Sequence, residues 1–120
     1  LVMGDMNDEP SNKSLNEILT AQSPEDENAA FVNLMFPIHK NKQGSYNYRG
    51  TWNMLDNIIV SPNLFDKKGY QCKEMQGSVF HEKWMEYESK GEMSPNRTYG
   101  GPNYYGGVSD HFPVYIQLSR

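Results

Sequence analysis

The sequence predicts a mixed α/β chain of the α+β kind. Three observations carry that expectation: an apolar, strand-like start at Leu1-Val2-Met3, period-two alternation from Trp52 to Val60, and a helical stripe of Leu15, Ile18 and Leu19. A length of 120 residues suits one domain. Leu, Ile, Val and Phe number only 23, a fraction that would suit disorder if the net charge were high. The net charge is −4, and eight Tyr and two Trp add core material, so the expectation is a folded, loop-rich soluble domain. The longest apolar stretch, around Ile58-Ile59-Val60, is too short to span a membrane. The lone Cys72 excludes an internal disulfide and a cysteine-built zinc site.

Each element follows from local pattern. Leu1–Gly4 reads as a strand, and entry straight into a strand predicts a chain cut from something longer. Asp5-Met6-Asn7-Asp8-Glu9-Pro10 is a turn cluster, and Pro10 suits the first turn of a helix in which Ser14-Leu15-Asn16-Glu17 has capping-box form. Residues 21–30 read as polar loop, and Phe31–Ile38 as a short apolar segment of either type. Ser45–Arg49 and Thr51–Ser61 read as two strands of a hairpin joined at Gly50. Tyr70–Val79 suits a strand, His81–Ser89 a short helix, and residues 90–109 a long loop rich in Gly, Pro, Asn and Tyr. Phe112–Leu118 alternates well enough for a final strand, and neither an internal repeat nor a domain linker is visible.

Charge is spread unevenly. Residues 1–30 hold seven acids against Lys13 alone, while the remainder holds ten Lys/Arg and eight Asp/Glu. No long basic run exists, which argues against a polybasic, sequence-blind grip on nucleic acid. Glu25-Asp26-Glu27 reads as solvated surface.

Three polar constellations stand out, each with an ordinary alternative. Gly4-Asp5-Met6-Asn7 leaves a strand, where Asp and Asn either close an Asx turn or present a carboxylate and a carboxamide at the strand's carboxyl end. Asp56 shares a face with Trp52, Met54, Ile58 and Val60 by period two, an inward-looking apolar face. A carboxylate there costs several kcal/mol unless a donor or cation meets it, either backbone amides or a partner such as histidine. In Gly107-Val108-Ser109-Asp110-His111-Phe112-Pro113-Val114, Gly106-Gly107 allows close backbone approach and Pro113 stiffens the strand entry. Asp110 and His111 are either surface residues or a metal carboxylate beside an imidazole. His39 and His81 read as ordinary surface or edge histidines.

Taken in order, Gly4-Asp5-Met6-Asn7-Asp8, Leu55-Asp56-Asn57-Ile58-Ile59 and Ser109-Asp110-His111-Phe112-Pro113-Val114 resemble the endonuclease/exonuclease/phosphatase superfamily, which includes pancreatic deoxyribonuclease and the abasic-site endonucleases. The resemblance covers the whole chain and corresponds to the second half of the family's domain, so residues 1–120 are expected to be its C-terminal portion, without the N-terminal half. It implies half of a four-layer α/β sandwich: one mixed, mostly antiparallel sheet with helices on one face. It also implies a Mg²⁺- or Mn²⁺-dependent phosphoesterase of nuclease or phosphatase type, acting on a phosphate ester, nucleic acid among them. Asp5 would position or deprotonate the attacking water, Asn7 would hydrogen-bond that water or a phosphate oxygen, and Asp56 would pair with His111. His111 would contact the scissile phosphate or act as base, and Asp110 would help bind the metal. Arg49, Arg97 and Tyr99 are candidates for the substrate rim. The surroundings of Arg97-Thr98-Tyr99-Gly100 and Tyr105-Gly106-Gly107 resemble a bacterial branch whose members are often secreted, which implies a secreted or periplasmic place.

One departure accompanies the resemblance. The family's first half brings a metal-binding glutamate and a facing sheet, and no segment here matches either. The chain alone is therefore expected to be nearly inactive, with an uncovered sheet face that promotes self-association. Two readings of other classes stand beside this one: a module whose Tyr99, Tyr104 and Tyr105 stack on sugars or bases, and a scaffold that kept the fold and lost catalysis.

Overall fold

The computed structural model describes residues 1–120. Strand β1 (Val2–Asp5) leads through a single π-helical turn (Ser14–Ile18) to β2 (Ala21–Gln22) and β3 (Phe31–Asn33). Helix α1 (Phe36–Lys40) follows, then β4 (Tyr46–Tyr48), β5 (Thr51–Asn53) and β6 (Asp56–Val60). The rest is built of short pieces: β7 (Gln71–Cys72), β8 (Ser78–Val79), β9 (Glu86–Ser89), β10 (Glu92–Pro95), β11 (Tyr99–Gly100), β12 (Asn103–Tyr104), β13 (Val114–Tyr115) and β14 (Leu118–Ser119). The class is mixed α/β with few helices. No helix is long and apolar enough to cross a membrane.

The main sheet runs in the order β1-β6-β3-β2 and is mixed: β6 is antiparallel to β1 and β3, and β2 lies parallel to β3. β6 is the central strand, and its run of β-branched residues suits burial on both faces. Ile58 and Val60 pack with Met54, Val32, Leu34, Met35 and Ile38 of α1. On the other face Ile59 meets Ala21 and Leu15 of the π-helical turn. Between these layers Asn57 is fully buried, yet its side chain is satisfied. Its Nδ2 donates to the carbonyls of Asp8 (2.9 Å) and Leu55 (3.0 Å), and its Oδ1 accepts from Asn33 Nδ2 (2.9 Å). That amide network ties the loop after β1 to the two central strands.

Several elements differ from the sequence expectation. The helix expected after Pro10 is one five-residue π turn, because the Ser14 hydroxyl donates to Asp8 Oδ2 instead of capping a backbone N–H. Thr51–Ser61 is two strands broken at Met54-Leu55: β5 pairs with β4, whereas β6 crosses into the main sheet. Residues 81–89 hold one 3-10 turn (Lys83–Met85) and then β9, which forms a hairpin with β10. The loop expected over 90–109 contains β10 and the β11–β12 hairpin. Tyr70–Val79 and Phe112–Leu118 each divide into two short strands, β7 and β8 pairing with β14 and β13.

The β4–β5 hairpin expected at Gly50 is present, with Tyr48 opposite Thr51. Its two turn residues, Arg49 (φ 52°) and Gly50 (φ 85°), both take the left-handed backbone that a type I′ turn requires.

Candidate active site

The carboxyl end of β1 and the start of β6 lie side by side, with Asp5 directly opposite Asp56 in the register. Two carboxylates facing each other across a strand pair repel unless a cation or donor lies between them. Here the donor is His111. Its Nδ1–H donates to Asp56 Oδ2 at 2.7 Å, and the carboxylate, which can only accept, thereby fixes the proton on Nδ1. The ring's Nε2 has no protein partner. Ligand atoms of Asp5, Asp56 and His111 all lie within 4.8 Å of one another, the one place in the chain where three such side chains converge.

The ring is held from several sides. The Tyr46 ring packs on it at 4.8 Å between centroids, and a backbone bridge joins Tyr46 to His111. The His111 N–H donates to Ser109 Oγ at 3.0 Å, and Phe112, the next residue, is buried between the rings of Trp52 (5.9 Å) and His81 (4.9 Å). The turn before it is clamped as well: Asn96's carbonyl accepts the N–H of Val108 at 2.9 Å, and a Cβ on Gly107 would collide with that same carbonyl. Glycine is needed there for close approach.

Asp56 is largely buried, and its Oδ2 accepts a second hydrogen bond, from Ser45 Oγ at 2.5 Å. Ser45 is fully buried and also bonds to the segment after His111, since its carbonyl accepts the Phe112 N–H at 2.8 Å. Neither Ser45 nor Asn57 is singled out by sequence reasoning. A polar residue in an apolar run was the available signal for Asn57; nothing local distinguishes Ser45.

Asp5 and Asn7 are both exposed at the rim. Asn7 sits in left-handed backbone (φ 51°) and donates its N–H to Asp5 Oδ1 at 2.8 Å, so the Asx turn is formed and the carboxylate's second oxygen stays free. Asp110 is exposed and is not among the three converging side chains. Arg49 and Arg97 both line a cleft that includes Asn47 and Asn96. Tyr99 lies outside that cleft, paired with Tyr104 at 5.3 Å.

The other two histidines also touch carboxylates. His39 bridges Ser11 Oγ (2.8 Å) and Glu9 Oε1 (3.4 Å), pinning the loop after β1 to α1, and His81 Nδ1 bonds Glu86 Oε1 at 2.8 Å. A carboxylate contact therefore does not by itself single out His111; the convergence with Asp5 does. The one cysteine, Cys72, is partly buried against the core, and desolvation pushes its thiol pKa up.

No curated protein and no solved structure matches this chain. The endonuclease/exonuclease/phosphatase family matches it over residues 1–120, and the chain belongs to that family.

Proposed function

We propose that the chain carries the catalytic part of a divalent-metal-dependent phosphoesterase, with water as the attacking group. The observation that carries this reading is the convergence of Asp5, Asp56 and His111 within 4.8 Å, in a chain whose whole length matches a family of phosphoesterase-type hydrolases. Asp56, itself bonded by Ser45, holds the imidazole through Nδ1 and leaves Nε2 without a protein partner, free to accept or donate a proton at a phosphate oxygen or water. The free oxygen of Asp5 is a second acceptor for that water's proton.

Members of the family typically use divalent metals. The converging group suits a hard cation through the free oxygen of Asp5, a carboxylate ligand of the kind Mg²⁺ and Mn²⁺ favour, and Asp110, exposed beside His111 but outside that group, is the second carboxylate proposed for it. Such an ion, when bound, supplies positive charge against the phosphate oxygens. The metal-binding glutamate that the family's first half brings has no counterpart among these residues, which supports the further proposal that part of the metal site lies outside residues 1–120. Exposed Val2 and Met3 lie on edge strand β1, and a bare edge of this kind favours self-association.

The test uses the complete polypeptide and Mg²⁺-dependent hydrolysis of bis(p-nitrophenyl) phosphate. His111→Ala and Asp5→Ala are each expected to lower the rate by about 10²-fold or more. Full activity surviving in both variants would overturn the proposal. Residues 1–120 alone are expected to turn over far more slowly than the complete polypeptide, and equal rates would refute the divided metal site.

A further inference from the structure

A cleft of about 850 Å³ opens between the β4–β5 and β9–β10 hairpins, its lining separate from Asp5, Asp56 and His111. Three cations line it: Arg49 on the β4–β5 turn, Lys90 on the β9–β10 turn, and Arg97. None of the three forms an ion pair. Glu92 is the one acid in the lining, and Tyr87 and Tyr105 stand on it largely exposed. Unbalanced positive charge inside a concave wall focuses the local field on an anion. Guanidinium groups suit phosphate oxygens in particular, because their planar donors match them in pairs.

Both walls of the cleft are joined through the backbone to segments that hold the catalytic group. On one side Tyr46, whose ring packs on His111, begins β4, and Arg49 follows that strand as the first turn residue. Three strand residues span about 10 Å, too far for one phosphate to touch both ends. On the other side the Arg97 carbonyl accepts the Gly107 N–H, and the Asn96 carbonyl accepts those of Val108 and Ser109. The segment bearing Arg97 is thus joined to the turn that delivers His111. Asn47 Nδ2, donating to the Met93 carbonyl at 3.2 Å, ties the two hairpins that carry Arg49 and Lys90.

We propose that this cleft binds a second phosphate of the substrate, distinct from the one cleaved beside His111. Arg49 and Arg97 contact that phosphate, and the exposed faces of Tyr87 and Tyr105 take the group that bears it. The inference rests on the phosphoesterase reading and narrows its substrate class to molecules with at least two phosphates. A short single strand of nucleic acid and a small polyphosphate share that chemistry, and the tyrosine faces favour the strand, whose bases stack on them.

Binding is measured in EDTA, so that no metal-dependent turnover enters. The probes are the tetranucleotide (dT)₄ and inorganic tripolyphosphate, titrated against the complete polypeptide by calorimetry. Arg97→Gln and Arg49→Asn are each expected to weaken binding severalfold and together at least tenfold, while Glu92→Gln tightens it. Arg49→Asn also guards against misreading an unfolded variant. Asn tolerates left-handed backbone better than Arg does, so this variant should melt no lower than the parent. Left-handed backbone at Lys42 and Lys67 shows that such strain is not peculiar to the cleft, and it serves here only to make the variant benign. Tighter binding of (dT)₄ identifies a strand, and tighter binding of tripolyphosphate a small polyphosphate; either upholds the second-phosphate site. Absence of binding by both probes, or affinities unchanged across the three variants, would overturn it. A complete polypeptide that binds through these arginines yet hydrolyses no phosphodiester with Mg²⁺ would instead count against the phosphoesterase reading.

Discussion

Asp56 Oδ2 accepts from two donors at once, His111 Nδ1 and Ser45 Oγ, and that shared oxygen sets what each neighbour contributes. Asp56→Asn would keep the shape and replace an obligate acceptor with a group that can also donate, freeing the imidazole to adopt the other tautomer. We expect kcat to fall by about 10²-fold or more, with a melting temperature close to the parent's. Ser45→Ala removes the second donor while leaving the pair in contact, and is expected to cost about tenfold in kcat, as loss of a supporting hydrogen bond commonly does. Steady-state kinetics on bis(p-nitrophenyl) phosphate and a thermal melt separate the two effects; a Ser45→Ala enzyme as slow as Asp56→Asn would contradict this division. Asp56 was legible in the sequence because a charge in the apolar run Met54–Val60 demands a partner. Ser45 was not, since its role exists only once β4 and the His111 segment lie side by side.

Among the elements, the short hairpins explain most of what the sequence concealed. Glu86–Ser89 and Glu92–Pro95 carry mixed residues, and the preceding His81–Met85 favours a helical reading by composition alone. The decisive signal was Lys90-Gly91, a two-residue type I′ turn with Ser89 opposite Glu92, of the same kind as Arg49-Gly50. Likewise the expected helix after Pro10 failed because Asp8 drew off the Ser14 hydroxyl, a competition that spacing does not reveal. Gly107 was legible as a site of close approach; its partner, the Asn96 carbonyl, was not. Gly107→Ala forces that carbonyl away from the turn carrying His111. It is expected to destabilise by roughly 1–3 kcal/mol and to lower kcat even at temperatures where the variant is fully folded. Circular dichroism melts with rates taken well below the transition would check both parts, and parental kcat in the folded variant would show that the turn does not position His111.

Across the whole molecule burial is lopsided. Sixteen of the twenty buried residues fall in residues 1–60, and beyond them only Gly77, Met85, Pro95 and Phe112 are buried. The chain is correspondingly drawn out, with a radius of gyration of 15.6 Å, where a compact chain of this length has about 14 Å. The α+β class was readable because it depends on β1 and β6, whose patterns are local; β3 lay in an apolar segment of either type, and the thin second half was hidden because two-residue strands leave no period to detect. Opening of such a protein need not be all-or-none, and weakly packed regions exchange with solvent first. Heat is therefore expected to abolish hydrolysis at a lower midpoint than it abolishes the β-sheet signal, and coincident midpoints would refute this. The reason lies in Phe112, the large buried anchor of the second half. Asp56 belongs to the durable sheet, whereas the His111 segment is anchored in the second half by the neighbouring Phe112 ring seated against Trp52. The Asp56–His111 pair thus straddles the seam between a firm unit and a looser one, and, on the role proposed for it, its hydrogen bond doubles as a latch whose release would stop hydrolysis reversibly, before the fold itself is lost.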